Sequence, residues 1–236
     1  MIYIHSNSTE AAYYFAVEEY LMTQKKFDDT VFMFWRTAPT IMIGSGQVTQ
    51  NEINKQYVEN NNVTLVRRQS GGGAIYTDMG GWQFTYVLPR KNAEIPEFRV
   101  TGKDILNALI TLGIDAQFND RNDILVGSRK ISGNARHLNS GYILHHGSLL
   151  YNTDIEAMVS SLTPDPEKLI SKGIQSVRQR VCNISEIVQF EDFEQAILSE
   201  ILKNYNFYEL SEEDEREIQK IANKKYRSDE WTYSVE

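Results

Sequence analysis

Asp115–Tyr151 reads DAQFNDRNDILVGSRKISGNARHLNSGYILHHGSLLY and divides into four strand-like runs: Asp115–Phe118, Asp123–Val126, Arg129–Ala135 and Gly141–Tyr151. Gly127-Ser128 predicts a tight hairpin between the second and third. So many short strands with hairpin-length connections point to antiparallel pairing, not to a regular alternation of strand and helix.

Upstream of this block, the spacing predicts a short strand at residues 1–5 and a helix over Thr9–Met22 with Ser8 or Thr9 as its N-cap. Val31–Trp35 and Thr40–Ile43 are rich in β-branched and aromatic residues, and Ala38-Pro39 interrupts them, so they read as a strand pair. Ile53–Asn60 reads as a helix, and Thr64–Arg67 as a strand running into Ser70-Gly71-Gly72-Gly73. Ala74–Thr77 and Gln83–Leu88 read as strands across the turn Asp78-Met79-Gly80-Gly81. Thr101–Leu112 is helical, with Ile105, Leu106, Leu109 and Leu112 on one stripe. From Asp154 onward the pattern turns helical, most clearly at Phe190–Tyr205 and Ser211–Lys225; the acidic run 212–215 is expected on a solvated first turn. The expected fold is α+β, with mixed, largely antiparallel β-sheets flanked by helices, in one domain over residues 1–236.

With 24 Lys and Arg against 32 Asp and Glu, the chain carries −8 at neutral pH, which argues against a general nucleic-acid binder. Cys182 is the only cysteine, so no intramolecular disulfide forms and no Cys-x-x-Cys zinc motif exists. No apolar run reaches the roughly 20 residues that span a bilayer, and the first residues lack the pattern of a secretory signal. The expected setting is the cytoplasm, without membrane attachment.

Three clusters carry chemistry-bearing residues. In Arg67-Arg68-Gln69-Ser70-Gly71-Gly72-Gly73-Ala74, successive glycines let backbone amides approach an anion, and two arginines precede them. The run is neither a Walker A loop nor a Rossmann fingerprint, and a flexible loop beside surface arginines is the plainer alternative. In Asn122–Ala135, Lys130 on a strand can aim its ammonium at a phosphate or oxyanion, or it can simply be solvated. Asp123 can offer oxygen to Mg²⁺ or cap a turn. In His145-His146-Gly147-Ser148, adjacent strand histidines point to opposite faces, which makes a two-histidine metal site unnatural; either can be a satisfied core histidine. Neither Ser70 nor Ser148 sits in a Gly-x-Ser-x-Gly elbow. Cys182 lies beside arginines that can lower its pKa, or it is buried and inert.

Taken in order, Arg67-Arg68-x-Ser70-Gly71-Gly72-Gly73-Ala74, Lys130-x-x-Gly133-x-Ala135 and His146-Gly147-Ser148-Leu149 resemble the lipoate–protein ligase A family of the biotin/lipoate ligase superfamily. Phe34-Trp35-Arg36 through Ile43-Gly44 and Gln47, and Ser171–Arg178, extend the likeness. It spans nearly the whole chain. The resemblance implies ATP-dependent attachment of lipoate, through lipoyl-AMP, to one lysine of a lipoyl domain. Lys130 would be catalytic, touching the acyl carbonyl and phosphate in both steps. Arg68, Ser70, Gly71, Gly72, Gly73, Ala74, Tyr76, Gly133, Ala135, His146 and Gly147 would bind lipoate or lipoyl-AMP. Ile75, Asn122, Asp123 and Arg178 would face ATP, with Asp123 the ligand for Mg²⁺. The segment 172–180 would close over the adenylate.

The implied partners are lipoyl domains of 2-oxoacid dehydrogenase E2 subunits or the glycine cleavage H protein. Many family members continue beyond Lys225-Tyr226-x-Ser228-x-x-Trp231 into an accessory domain, so the resemblance also implies that such a domain is absent here or is a separate polypeptide. Relatives that move octanoyl or lipoyl groups between carriers use a cysteine, for which Cys182 is the candidate. A lipoate-binding protein with weak catalysis and a biotin ligase complete the alternatives. Acceptor domains being acidic, a positive rim of Arg67, Arg68, Lys130, Arg136, Arg178 and Arg180 is expected.

Overall fold

The computed structural model describes residues 1–90, 95–139, 141–162 and 180–235. Among these, the strands in chain order are β1 (Ile2–Tyr3), β2 (Val31–Trp35), β3 (Thr40–Ile43), β4 (Thr64–Arg67), β5 (Ile75–Thr77), β6 (Gly81–Pro89), β7 (Ala116–Phe118), β8 (Asp123–Val126), β9 (Arg129–Leu138), β10 (Tyr142–Leu150) and β11 (Asn206–Phe207). The α-helices are α1 (Ala11–Tyr20), α2 (Thr49–Glu52), α3 (Lys55–Asn60), α4 (Phe98–Thr101), α5 (Lys103–Thr111), α6 (Ile155–Ser161), α7 (Phe193–Ile201), α8 (Glu212–Ile221) and α9 (Asp229–Thr232).

The strands form an eight-stranded sheet, β11-β1-β2-β6-β10-β9-β8-β7, and a three-stranded sheet, β4-β3-β5. In the large sheet only β1 runs parallel to its neighbours, and every other pairing is antiparallel. In the small sheet β3 runs parallel to β4 and antiparallel to β5. The expected α+β, largely antiparallel architecture is what forms.

The strand pair expected from the sequence is not a pair. β2 and β3 have the expected limits but lie in different sheets. Pro39 has no N–H to offer a ladder, and its carbonyl accepts Thr64 N at 3.0 Å, committing the chain to the small sheet. β5 and β6 likewise part company at the corner 78–81. There Asp78 Oδ1 accepts the amides of Gly80 and Gly81 at 2.9 and 3.1 Å, while Oδ2 accepts the Asp154 amide at 2.8 Å.

One face of the large sheet carries α1 and α8, the other α5 and α7, and the small sheet packs on α3 and α6. α1 is buried on nearly all sides (Ala11–Glu18 and Tyr20), so it has no solvent stripe. Its expected cap is corrected: Glu10 is the N-cap and its side chain makes no capping bond, while Ser8 Oγ accepts the Glu10 amide at 3.2 Å. The helix continues as one wide π turn, Leu21–Lys25, closed by Lys26 with φ of 53°. α8 begins where expected, on a capping box between Ser211 and Asp214. Asp214, however, is buried and not on a solvated face. Its Oδ1 accepts Tyr20 Oη at 2.5 Å and Lys25 Nζ at 3.0 Å, and Oδ2 accepts Tyr208 Oη at 2.7 Å. These bonds clamp α8 onto α1.

Candidate active site

Strand register builds the floor of a cavity. Trp35 on β2 lies opposite Gln83 on β6, Gln83 opposite Ser148 on β10, Ser148 opposite Gly133 on β9, and Gly133 opposite Asp123 on β8. Residues in such a row share one face of the sheet. Phe15 of α1, Met42 of β3 and the glycine-rich loop cover it, enclosing a cavity of about 160 Å³. Its β2 end is apolar, with Phe15, Trp35 and Met42; its β8–β9 end is polar, with Asn122, Lys130 and Ser148.

The loop is held from behind by Arg68. Arg68 donates from Nε to Ser70 Oγ at 3.0 Å, from one terminal nitrogen to Met42 O at 2.9 Å, and from the other to Gly71 O and Gly73 O, both at 2.8 Å. Burial pushes its guanidinium down to about 10, against the pull of the Glu18 charge, so it remains a cation at neutral pH. Between the two stapled carbonyls Gly72 takes φ of +93°, a conformation in which a side chain would be strained. Arg67 points elsewhere. It is wholly buried and donates to Gly44 O (2.8 Å), Gln47 O (2.9 Å), Thr49 Oγ1 (2.8 Å), Trp231 O (3.0 Å) and Thr232 O (2.8 Å). Trp231 Nε1 returns a bond to Arg67 O at 2.8 Å. The expected positive rim is therefore smaller than the sequence suggests: Arg67 and Arg68 are interior staples, Arg136 lies opposite His145 on the other face of the sheet, stacked on Phe98, and among the described residues Lys130 and Arg180 remain for it.

At the apolar end a hydrogen-bonded chain runs from Glu18 to Ser70. Glu18 Oε1 lies 3.0 Å from His146 Nδ1, and His146 Nε2 lies 2.6 Å from Ser70 Oγ. With the Glu18 carboxylate able only to accept, Nδ1 carries the proton, and Nε2 accepts from the Ser70 hydroxyl. Thr85 Oγ1 donates to Glu18 Oε1 at 2.7 Å and accepts from Trp35 Nε1 at 3.1 Å. The order Ser–His–Glu matches a hydrolase triad, but Ser70 is 1% exposed and is not part of the cavity wall, so it is placed to brace and not to attack. Glu18 was not singled out in the sequence. The signal was an acidic pair, Glu18-Glu19, ending the otherwise apolar run Ala11–Val17.

At the polar end Lys130 Nζ forms an ion pair with Asp123 Oδ1 at 2.8 Å. The lysine arches over Gly133, where a Cβ would stand 2.8 Å from Nζ. Its carbonyl accepts the Cys182 amide at 3.1 Å, which anchors this part of β9 to the segment after residue 180. No group of three or more His, Cys, Asp or Glu gathers to hold a metal among the described residues. Asp123 keeps Oδ2 with only a 3.5 Å contact to Asn119 Nδ2. That fits one ligand of a magnesium ion whose other ligands are phosphate and water, and not a resident cage.

Of the residues singled out in the sequence, Arg68, Gly72, Gly73, Ala74 and Ile75 line the cavity from the loop side, and Asn122, Lys130, Gly133, Ala135, His146 and Gly147 from the sheet. Ser70 and Asp123 stand one layer back, each bonded to a lining residue. Gly71 is exposed, and Tyr76 packs with Ile41 and Ile43 in the small-sheet core, off the cavity wall. Arg178, and Ser171–Arg178 with it, lies outside the described residues. Cys182 is 1% exposed, and burial pushes its thiol up, the opposite of an activated nucleophile.

The lipoyl protein ligase A/B catalytic domain matches residues 10–202. This chain belongs to that family. Lipoate–protein ligase 1 of Staphylococcus aureus is 36% identical over 235 residues, covering 97% of this chain and 72% of that protein. Lipoate-protein ligase LplJ of Bacillus subtilis is 37% identical over 227 residues, covering 92% and 69%. Among solved structures, a bipartite lipoate protein ligase of Thermoplasma acidophilum superposes with a TM-score of 0.87 at 25% identity, covering 100% of this chain and 96% of that one. The chain is thus an enzyme of the lipoate–protein ligase family, and the wall of its cavity is built from the motifs by which the sequence resembles that family.

Proposed function

We propose that the protein joins lipoate to the ε-amine of a lysine on a lipoyl domain in two steps, through lipoyl-AMP. The observation that carries the reading is the position of Lys130 Nζ, a cation on the wall of a cavity whose far end is apolar. A carboxylic acid does not acylate an amine unaided; it needs a leaving group, and a nucleotide supplies one. In the first step a lipoate carboxylate oxygen attacks the α-phosphorus of ATP and the bond to pyrophosphate breaks. In the second, the neutral acceptor amine attacks the acyl carbon, AMP departs, and the amine proton is lost. Both transition states build negative charge on oxygen, on the α-phosphate and then on the tetrahedral oxyanion. A fixed ammonium in a cavity partly closed to water stabilises such charge more than water does.

Phe15, Trp35 and Met42 fit the alkyl chain and dithiolane, and Asn122 and Ser148 offer polar contacts at the nucleotide end. Mg²⁺ arriving with ATP would spread phosphate charge, and Asp123 would hold it. The bipartite T. acidophilum ligase is described with its E2 lipoyl domain; that supports an E2-type acceptor here, the H protein being the other candidate, and a separate accessory polypeptide as a partner. The buried Cys182 speaks against the cysteine-dependent transferase, and Lys130 on the cavity wall against a mere binding protein.

The test is the intact mass of a purified lipoyl domain after incubation with the protein, lipoate, ATP and Mg²⁺, beside the same reaction with Lys130→Ala. A lipoyl mass increment that needs both ATP and Lys130 supports the reading. Synthetic lipoyl-AMP in place of lipoate and ATP separates transfer from activation. A lipoyl domain unchanged under both conditions overturns the proposal.

A further inference from the structure

His145 and His146 leave β10 on opposite faces. His146 serves the cavity beneath α1, whereas His145 is wholly buried on the α5 side, within an aromatic ring set of Phe84, Tyr86 and Phe98. Nothing in the activity described above uses it. Its Nδ1 makes no well-formed hydrogen bond among the described residues, only a weak approach to the Thr101 backbone, so the imidazole carries a desolvation cost that a phenylalanine there would avoid. Its Nε2, 2.9 Å from Asn134 Oδ1, is the polar contact that sets against this cost.

That contact has a definite direction. Asn134 Nδ2 donates to Asn122 O at 2.8 Å and toward Ser132 Oγ at 3.3 Å, which turns Oδ1 toward the ring and requires the proton on Nε2. Burial, reinforced by the neighbouring His146 ring and the Arg136 charge and opposed by the Thr101 backbone, pushes the imidazole down to about 3, so the ring stays neutral and keeps this tautomer. Asn122 Nδ2 in turn donates to Asn134 O, so the two asparagines grip each other reciprocally. Both line the polar end of the cavity, and Asn134 is itself buried.

We propose that His145 is a positioning residue for nucleotide binding, fixing the Asn134 amide, and through it Asn122, at the polar end of the cavity. The two histidines thus divide the cavity between them, His146 bracing the acyl end from one face and His145 the nucleotide end from the other. The inference rests on the ligase reading, because it needs a nucleotide at that end.

Equilibrium binding by calorimetry tests it, with lipoate and with α,β-methylene-ATP plus Mg²⁺ as separate probes. His145→Phe fits the aromatic surroundings but cannot donate. It should weaken the nucleotide analogue about five- to ten-fold while lipoate affinity changes less than two-fold and the melting temperature does not fall. His145→Gln, whose amide nitrogen can reach the position of Nε2, should restore nucleotide binding. Asn134→Ala should copy the nucleotide-selective loss, and the double variant should be no worse than either alone. Equal loss of both ligands together with a lower melting temperature, no restoration by Gln, or nucleotide binding unchanged in His145→Phe would overturn it. A wild-type protein that binds lipoate but no nucleotide overturns it together with the ATP-dependent reading. One that binds both probes while His145→Phe behaves as wild type leaves the ligase reading standing and removes this inference alone.

Discussion

Lys130 and Asp123, on adjacent strands, are joined by an ion pair of 2.8 Å that spans the bare backbone of Gly133. The ammonium is held at the edge of the cavity by a partner that does not itself line it. Lys130→Ala should lower ligase turnover by at least about 100-fold, the scale of removing one preorganised electrostatic donor. Gly133→Ala is the subtler probe. Its methyl would stand 2.8 Å from Nζ and 3.0 Å from Cε, displacing the end of a flexible side chain and no backbone. Steady-state kinetics should show about a ten-fold loss, and thermal denaturation no change; a large drop in melting temperature would mean that the glycine is needed for folding instead.

Glu18 fixes the His146 tautomer, and with it the donor direction of Ser70. Glu18→Gln removes the charge and keeps the shape. It should weaken lipoate binding about ten-fold, in line with about 1–2 kcal/mol for a charge-assisted hydrogen bond. Calorimetry with lipoate alone measures it. An affinity equal to wild type would mean that the chain is only core satisfaction.

Cys182 packs with Leu149, Ile184 and their neighbours in the core beneath β9 and β10. Cys182→Ser should leave lipoyl transfer within two-fold of wild type and cost about 1 kcal/mol of stability for a buried hydroxyl. Loss of transfer with the fold intact would return the cysteine-dependent mechanism.

Asp214 gives the pH prediction. Burial opposes its charge, but hydrogen bonds from Tyr20, Tyr208, the Ser211 backbone and Lys25 outweigh it and hold the carboxyl well below the usual carboxylate range. A carboxyl depressed on folding contributes its stability above its unfolded value, near pH 4, and loses it as pH falls through the folded one. Asp214→Asn should therefore cost about 2 kcal/mol at pH 7. In urea titrations the gap from wild type should narrow steadily below pH 4. A gap independent of pH would show that the carboxylate charge is not what binds α8 to α1.

The sequence was most legible where structure is local. Thr64–Arg67 and Thr40–Ile43 have their expected limits because β-branched runs between turn residues leave little choice. The start of α8 was legible from Ser211 and the acids behind it. The partition into two sheets was not, because a hairpin-length connection looks the same whether the next strand returns to its neighbour or crosses to another layer. The glycine loop, Lys130 and His146 were legible as motifs, and they do share one cavity. What each one touches was not. The Ser70–His146 bond joins residues 76 apart and the His146–Glu18 bond residues 128 apart, and no local pattern records either. The partners of the arginines were hidden for the same reason. Charge before a glycine loop reads as a ligand contact; in the fold Arg67 is wholly buried and donates to the protein's own carbonyls and the Thr49 hydroxyl, while Arg68 lines the cavity with its donors on Ser70 and neighbouring carbonyls.

Arg67 meets the carbonyls of Trp231 and Thr232 across 164 and 165 positions of chain. Until that distant segment docks, a buried cation beside the glycine loop lacks several of its acceptors. Assembly of the pocket is thus tied to a long-range closure of the fold, the kind of contact that comes late because so much chain entropy must be given up first. A molecule nicked ahead of Trp231 could keep both sheets and still lose the shape of the loop, so its competence for ligand would be a readout of whether folding had run to completion.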